Sequence, residues 1–242
     1  MWARKRLKLS KSILFLRSVL FNLFIRIVTH LLYVLFAPLL FIGRKGALIG
    51  CVGWAYSVVY SAKYIAGIDF EVRGKIPEGA AIFACKHQSA WETAIFYVIT
   101  KRPVYIYKKE LLWLPFFNLF MVISGNIMVD RQAGASTLKN LVRKAKIRLS
   151  EGRPLVLFPE GTRKAFGAAP DYKPGIAALY NATDADVIPI ALNSGKFWGR
   201  NEFLKKPGKI IVHFLPPIEK GLSKKEFMHR LETTIESACA EL

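Results

Sequence analysis

From Met1 to Ile68 the chain contains no aspartate or glutamate, while the same stretch holds ten lysines and arginines. A segment that is apolar, basic and free of acid suits a membrane surface of anionic lipid. Beyond it, 26 basic residues are set against 17 acidic ones, and the chain as a whole carries a net charge of +19. Such an excess also suits nucleic acid. Here, however, the basic residues flank long apolar runs and do not form a polar face studded with aromatics, so no nucleic-acid partner is expected. Cysteine is scarce. Cys51, Cys85 and Cys239 are far apart, form no Cys-x-x-Cys pair and are odd in number. That excludes a disulfide framework and the common zinc spacing, and it fits a reducing compartment. There is no internal repeat and no low-complexity tract. There is no Gly-x-Ser-x-Gly elbow, which argues against a serine hydrolase working through an acyl-enzyme. Without a His-Glu-x-x-His helix or a Walker loop, neither a metal nor ATP is implied, and no cofactor is expected.

What is present is hydrophobic, 52% of 242 residues, enough for one sizeable core and a short extra module. Residues 1–11 (MWARKRLKLSK) form a charged head, followed by two uncharged runs, Ile27 to Gly43 and Gly46 to Ala62. Each is about 17 residues, the lower limit for a spanning helix. The apolar stretch is too long for a signal peptide, and no small-residue cleavage site follows it. If both runs spanned, Arg44 and Lys45 between them would sit opposite the basic N-terminus, against the positive-inside rule. A helical hairpin that dips into one leaflet or lies in the interface is therefore expected, with Trp54, Tyr56, Tyr60 and Tyr64 near the headgroups. Two true spans and buried core helices are the other readings of the same runs.

After about residue 66 the pattern changes to short β-prone runs alternating with helical ones. Strands are expected at Asp69–Arg73, Ala80–Cys85, Pro103–Ile106, Pro154–Phe158, Asp186–Ile190 and Lys209–Phe214. Helices are expected at Ala90–Ile99, Leu111–Met121, Ser136–Ser150, Pro174–Asn181 and Ser223–Cys239. The alternation predicts an α/β domain over residues 66–242, a mixed central sheet covered by helices, preceded by the membrane-associated hairpin of residues 1–65.

Four blocks carry chemistry. The first is Lys86-His87-Gln88-Ser89-Ala90-Trp91-Glu92-Thr93. On a regular helix His87 and Glu92 would point about 140° apart. At a strand-to-helix junction they can meet, because Ser89-x-x-Glu92 reads as a capping box whose carboxylate folds back. A carboxylate on one imidazole nitrogen sets the tautomer and leaves the other nitrogen to take a proton. A plain capping box beside an incidental histidine is the competing account. The second block, Gly125–Arg131, follows Lys108-Lys109-Glu110-Leu111 and Pro115. It offers Arg131, with Lys109 upstream, as candidate anion ligands, although a solvated face explains either alone. The third, Phe158-Pro159-Glu160-Gly161-Thr162-Arg163, is a strand-end turn bearing a carboxylate, a hydroxyl and a guanidinium, suited to phosphate. An ordinary polar loop explains it equally. The fourth, Val187-Ile188-Pro189-Ile190, reads as core or as the wall of a tunnel.

Taken together and in this order, the four blocks resemble the glycerophospholipid acyltransferase family, and in particular its bacterial members that acylate 1-acyl-glycerol-3-phosphate. His87 and Glu92 match that family's His-x4-Asp block, Gly125–Arg131 its Gly-x-Ile-hydrophobic-Ile/Val-Asp-Arg stretch, residues 158–163 its Phe-Pro-Glu-Gly-Thr-Arg motif in full, and Val187–Ile190 its proline-bearing strand. Lys108, Glu110, Leu111 and Pro115 also look familial. The likeness covers about residues 66–220, and similar proteins carry an N-terminal two-helix membrane element. The departure is Glu92, where the family usually has aspartate; the extra methylene changes reach by about 1.5 Å.

The resemblance implies direct transfer of an acyl group from acyl-CoA or acyl carrier protein to the sn-2 hydroxyl of lysophosphatidate, making phosphatidate. His87 is the base and Glu92 its partner. Lys109, Arg131, Glu160, Gly161, Thr162 and Arg163 bind the acceptor, and Lys173-Pro174-Gly175 is an additional phosphate-side element. Membrane lipid is the expected surrounding, on the cytoplasmic face of the inner membrane if the source is bacterial. Other acceptors of the same class, and a non-catalytic lipid-binding protein inactivated by the Glu92 change, are the alternatives.

Overall fold

A computed structural model describes residues 10–100, 102–113, 117–130 and 134–242. The chain enters as a long helix, α1 (Lys11–Phe36), whose first turn is capped by Ser10: its Oγ accepts from the Ile13 amide at 3.3 Å. A short 3-10 turn at Ala37–Ile42 and Gly43, which adopts a φ of +69°, reverse the chain into α2 (Arg44–Ser61). A π-helical turn at Ala62–Ala66 ends the helical part. The expected hairpin is therefore present, but its first helix starts sixteen residues before the uncharged run, because Arg17 and Arg26 fit on a helix as readily as apolar residues do.

The two arms of the hairpin have opposite fates. On α2, Ala47, Cys51, Ala55, Val58 and Val59 recur at helical spacing and are buried in the main core, with Gly50 lying against Phe120. Only Ser18 and Phe21 are buried on α1. Arg17 donates to the Ile65 carbonyl at 2.7 Å, the Lys205 amide donates to Ser18 Oγ at 2.9 Å, and Phe21 meets Trp198 edge-on at 5.0 Å. The rest of α1 is an uncovered apolar face of Leu16, Leu20, Leu23, Ile27, Leu31, Val34 and Leu35, and Phe41 in the turn is 96% exposed. Lys11–Ile42 is long and apolar enough to cross a membrane, with a mean hydropathy of 2.1 over its best window. Yet Arg44, just past the turn, pairs with Glu151 of the globular part at 2.9 Å. The turn thus lies beside the body, as in a hairpin lying along one surface. Packing runs across the 65/66 boundary, since α2 shares its core with the sheet.

The sheet has seven strands: β1 (Ile68–Arg73), β2 (Ala81–Cys85), β3 (Val104–Lys108), β4 (Ile127–Val129), β5 (Leu155–Leu157), β6 (Asp186–Leu192) and β7 (Gly208–Phe214), in the order β1-β7-β6-β2-β5-β3-β4. From β6 to β4 all neighbours are parallel. β7 is antiparallel to β6 and parallel to β1, so the sheet is mixed as expected. β2 is buried throughout, and its side chains alternate between two layers. Ala81, Phe83 and Cys85 face the core built with α2, α3 (Glu92–Thr100) and α4 (Phe117–Ile123). Ile82 and Ala84 face the one built with α5 (Gly134–Ser150), α6 (Gly175–Ala182) and α7 (Lys224–Ala240).

Two expectations needed correction. Helix Leu111–Met121 is instead a 3-10 turn at Lys109–Trp113 followed by α4; Pro115 lies outside the described residues. Ile127–Val129, read only as part of a motif, is strand β4 at the edge of the sheet.

If the bare face of α1 contacts lipid, Leu20→Glu and Leu31→Glu together should move most of the protein from vesicles to the soluble fraction in flotation assays. The two residues are 50% and 62% exposed, so the fold should be kept and the circular dichroism spectrum left unchanged. Full retention on vesicles would exclude this face as the contact.

Candidate active site

The five parallel strands end at one edge of the sheet, and the residues that follow them emerge there. This is the edge at which open α/β sheets bind ligands. His87 follows β2, Lys109 follows β3, Asp130 follows β4, Phe158–Arg163 follow β5, and Asn193–Gly195 follow β6.

At the centre is Glu92, the first residue of α3, whose side chain has no solvent exposure. Its Oε2 lies 3.1 Å from His87 Nδ1. The Ser89 amide donates to both carboxylate oxygens at 2.9 and 2.8 Å, the Gln88 amide donates to Oε1 at 3.3 Å, and the Ser194 hydroxyl donates to Oε1. Ser89 Oγ accepts from the Trp91 amide at 3.1 Å. The capping contact and the histidine contact are therefore simultaneous: one carboxylate folds back over the helix start and meets the imidazole on the way. A buried carboxylate requires several charged-group hydrogen bonds of this kind to offset its lost hydration. The longer glutamate reaches His87 with no break in the strand-to-helix turn.

The His87 ring stacks on Phe158 with centroids 3.8 Å apart and planes 13° apart. With Nδ1 held by Glu92, the proton belongs on that nitrogen and Nε2 carries the lone pair. No described residue bonds Nε2, and the side chain is 13% exposed. The ring is thus fixed on one face and one nitrogen, with the other nitrogen available as a base.

Gly161 turns the chain with a φ of +64°, and its amide donates to the Phe158 carbonyl at 2.8 Å. Thr162 and Arg163 follow, both half-buried. The Arg163 carbonyl accepts from Arg200 at 2.9 Å, while no described group holds its guanidinium. Lys109 is exposed and paired with Asp130 at 2.9 Å. Arg131 lies outside the described residues.

One reading of the sequence is corrected by burial and pairing. Glu160, assigned to the acceptor, is 1% exposed and both its oxygens are engaged: Oε1 by Lys86 at 2.8 Å, Oε2 by the His87 amide at 3.2 Å. It supports the histidine from below and presents no free oxygen. Lys173-Pro174-Gly175 touches the motif through its backbone, the Lys173 amide donating to the Pro159 carbonyl at 2.8 Å. Lys173 pairs with Asp171 at 2.6 Å, and Pro174 and Gly175 line a separate cavity of about 260 Å³ with Leu138 and Lys224.

Local sequence marks none of Ser194, Lys86 and Glu236 as part of the site. Lys86 adjoins His87 in the chain, but nothing local marks it as buried. Ser194 and Glu236 are 102 and 76 residues beyond Glu92 and Glu160, so only folding brings them in.

A strand-end histidine paired with a buried carboxylate, beside a turn carrying a free guanidinium, defines a site for proton abstraction from a substrate bearing an anionic group. The Acyltransferase family model matches residues 68–193, more than half of the chain, and the chain belongs to that family. A protein of Pseudomonas aeruginosa named 1-acyl-sn-glycerol-3-phosphate acyltransferase is 32% identical over 195 residues, covering 78% of this chain and 76% of that protein. The human protein named 1-acyl-sn-glycerol-3-phosphate acyltransferase alpha is 30% identical over 161 residues, with 64% of this chain matching 57% of its length. The crystal structure of the 1-acyl-sn-glycerophosphate (LPA) acyltransferase, PlsC, from Thermotoga maritima shares the fold, with a TM-score of 0.76 at 18% identity over 93% of this chain and 96% of that one.

Glu92→Gln separates the two roles of this carboxylate. It keeps the cap and removes the charge that stabilises an imidazolium, so it should remain folded and lose most turnover. A stable variant with full turnover would leave Glu92 as a cap alone.

Proposed function

We propose that this protein transfers a fatty acyl group from a thioester, acyl-CoA or acyl carrier protein, to the sn-2 hydroxyl of 1-acyl-glycerol-3-phosphate, forming phosphatidate at a membrane surface. The observation that carries this reading is the His87–Glu92 pair with Nε2 unengaged, on the same sheet edge as the Thr162–Arg163 turn. Membership of the acyltransferase family and the names of the relatives support the choice of acceptor.

The step follows from the geometry. His87 Nε2 takes the proton of the sn-2 hydroxyl as the oxygen attacks the thioester carbonyl. Glu92 stabilises the resulting imidazolium. The tetrahedral adduct collapses with loss of the thiolate, which takes the proton back from His87, so the products are the ester and the free thiol. Arg163, with its planar fork of donors, binds the acceptor phosphate, and the Thr162 hydroxyl adds a further donor. Arg131 and Lys109 complete the anion-binding side. A fixed phosphate places the sn-2 oxygen near the base, a contribution of positioning. The exposed apolar face of α1 keeps the enzyme where both lipid substrate and product reside. The cytoplasmic side is favoured by the basic, acid-free N-terminal segment.

The non-catalytic alternative rested on glutamate replacing the familial aspartate. The 3.1 Å contact between Glu92 and His87 removes that reason for expecting inactivity.

The assay is radiolabelled lysophosphatidate with each donor, followed by lipid separation. His87→Ala should lower transfer by at least about 100-fold, the low end of a general base's contribution. Near wild-type turnover would exclude His87 as the base. Arg163→Ala should raise the KM for lysophosphatidate by more than that for the donor; a change confined to the donor would reverse the assignment of the two sides.

A further inference from the structure

Directly before His87, Lys86 is a lysine with almost no access to water: its side chain is 3% exposed, and that of Glu160, its partner, is fully buried. The ammonium lies 2.8 Å from Glu160 Oε1 and 2.7 Å from Glu236 Oε1, and 5.8 Å above the Tyr172 ring. Tyr172 donates its hydroxyl proton to the same Glu236 oxygen at 2.8 Å. The remaining oxygen of Glu160 accepts from the His87 amide at 3.2 Å. One carboxylate is therefore gripped by two consecutive residues, by the ammonium of Lys86 and by the peptide nitrogen of His87. The strand end, the turn after β5 and helix α7 meet at this point. Glu236 lies beyond residue 193, where the match to the family model ends.

The electrostatics make the carboxylate depend on the lysine. Burial raises Glu160 above the ordinary carboxylate range, and the hydrogen bond from Lys86 opposes this. For Lys86 the balance falls the other way: burial lowers it, but hydrogen bonds to Glu160 and Glu236 outweigh burial and hold it above the usual lysine value. Other titratable groups around Glu160 are Glu236 and Cys239 from α7, Tyr172 from the segment before α6, and Cys85 from β2; each acts to raise Glu160 or is raised by it. Lys86 is the one cation among them. Without it, a carboxylate sealed from water beside Glu236 takes up a proton. A neutral carboxyl is the weaker acceptor for the His87 amide.

We propose that Lys86, held in place by Glu236 of α7, is a positioning residue that keeps Glu160 ionised against the His87 peptide nitrogen and so fixes the main chain from which the base is aimed. The inference rests on His87 being the base. The effect belongs to kcat, because the acceptor phosphate is bound by other groups. It is also pH-dependent with a defined sign. Removing Lys86 raises Glu160, so the support is lost at neutral pH and restored as pH rises and Glu160 ionises.

The test is the pH–rate profile of the full-length, membrane-bound enzyme with lysophosphatidate and acyl-CoA. Lys86→Met should lower kcat about tenfold at pH 7, leave the acceptor KM within about twofold, and move the acid limb upward by about one unit or more. In Lys86→Met with Glu160→Gln the Glu160 carboxyl is gone while Glu236 is kept, and the acid limb should return to its wild-type position. If Lys86→Met does not fold, Lys86→Gln removes the same charge while keeping a donor, and carries the same expectation. A Lys86 variant whose profile superposes on wild type would overturn the inference. So would a shifted limb that persists when Glu160→Gln is added, since the shift would then come from another group. His87→Ala in the same assay keeps the two claims apart. An inactive His87→Ala beside an unshifted Lys86 variant refutes only the inference, whereas an active His87→Ala refutes the mechanism on which it rests.

Discussion

A carboxylate with no exposure to water is tolerated only where enough donors converge on it, and Glu92 meets that demand with groups from two parts of the chain. The amides of Gln88 and Ser89 come from the turn after β2, the imidazole from His87 in that turn, and the hydroxyl of Ser194 from the loop after β6. Each donor satisfied at Glu92 is also a constraint on where its backbone runs. The strand-to-helix turn, the start of α3 and the β6 loop are thereby held together around one side chain. The Gln88 side chain adds a further tie, accepting from the Gly195 amide at 3.0 Å. The aim of the histidine is a consequence of these constraints.

The parallel block of the sheet makes such convergence possible. Because β6, β2, β5, β3 and β4 run the same way, the residues that follow each of them emerge on one edge, although they are spread over more than a hundred positions of sequence. The two helical layers seal both faces of the sheet, so the polar groups at that edge sit over a dry core in which their interactions are strong. Below the edge, Arg153 is another fully buried cation, donating to the carbonyls of Arg102 and Pro103, and burial lowers it to about 10. Near it, Arg148 donates to the Gly125 carbonyl at 2.9 Å and pairs with Glu151, which also holds Arg44. The turn of the N-terminal hairpin and the start of the Gly125–Arg131 block are thus joined through one acidic residue.

The blocks around His87, Gly125 and Phe158, their order, the α/β alternation and the helical hairpin were legible in the sequence, because each is written in local pattern: hydrophobic period, capping residues, turn residues and short motifs. The bend between His87 and Glu92 was legible for the same reason, since Ser89 and Glu92 are neighbours along the chain. Strand β4 was not, because three residues within a motif carry too little period to separate strand from loop. Nor was the break at Lys109–Trp113, where an apolar run near a proline reads as continuous helix.

Burial is what the sequence could not assign, because it is a property of distant contacts. The runs of α1 and α2 are similarly apolar, yet α2 packs into the core and α1 keeps a bare face; hydropathy is blind to which neighbour arrives. Glu160 sits in a motif suited to anions, but Lys86 and the His87 amide already occupy its oxygens. Lys86 and Arg163 are both basic residues beside a motif. The fold buries Lys86 between two carboxylates and leaves the guanidinium of Arg163 without a described partner, because the position of α7 decides which cation is enclosed. The sequence alone determined the chemistry available to the site. Which charges support the fold and which remain for a substrate was decided by the tertiary structure, since a charge is committed only when a partner from elsewhere in the chain displaces its water.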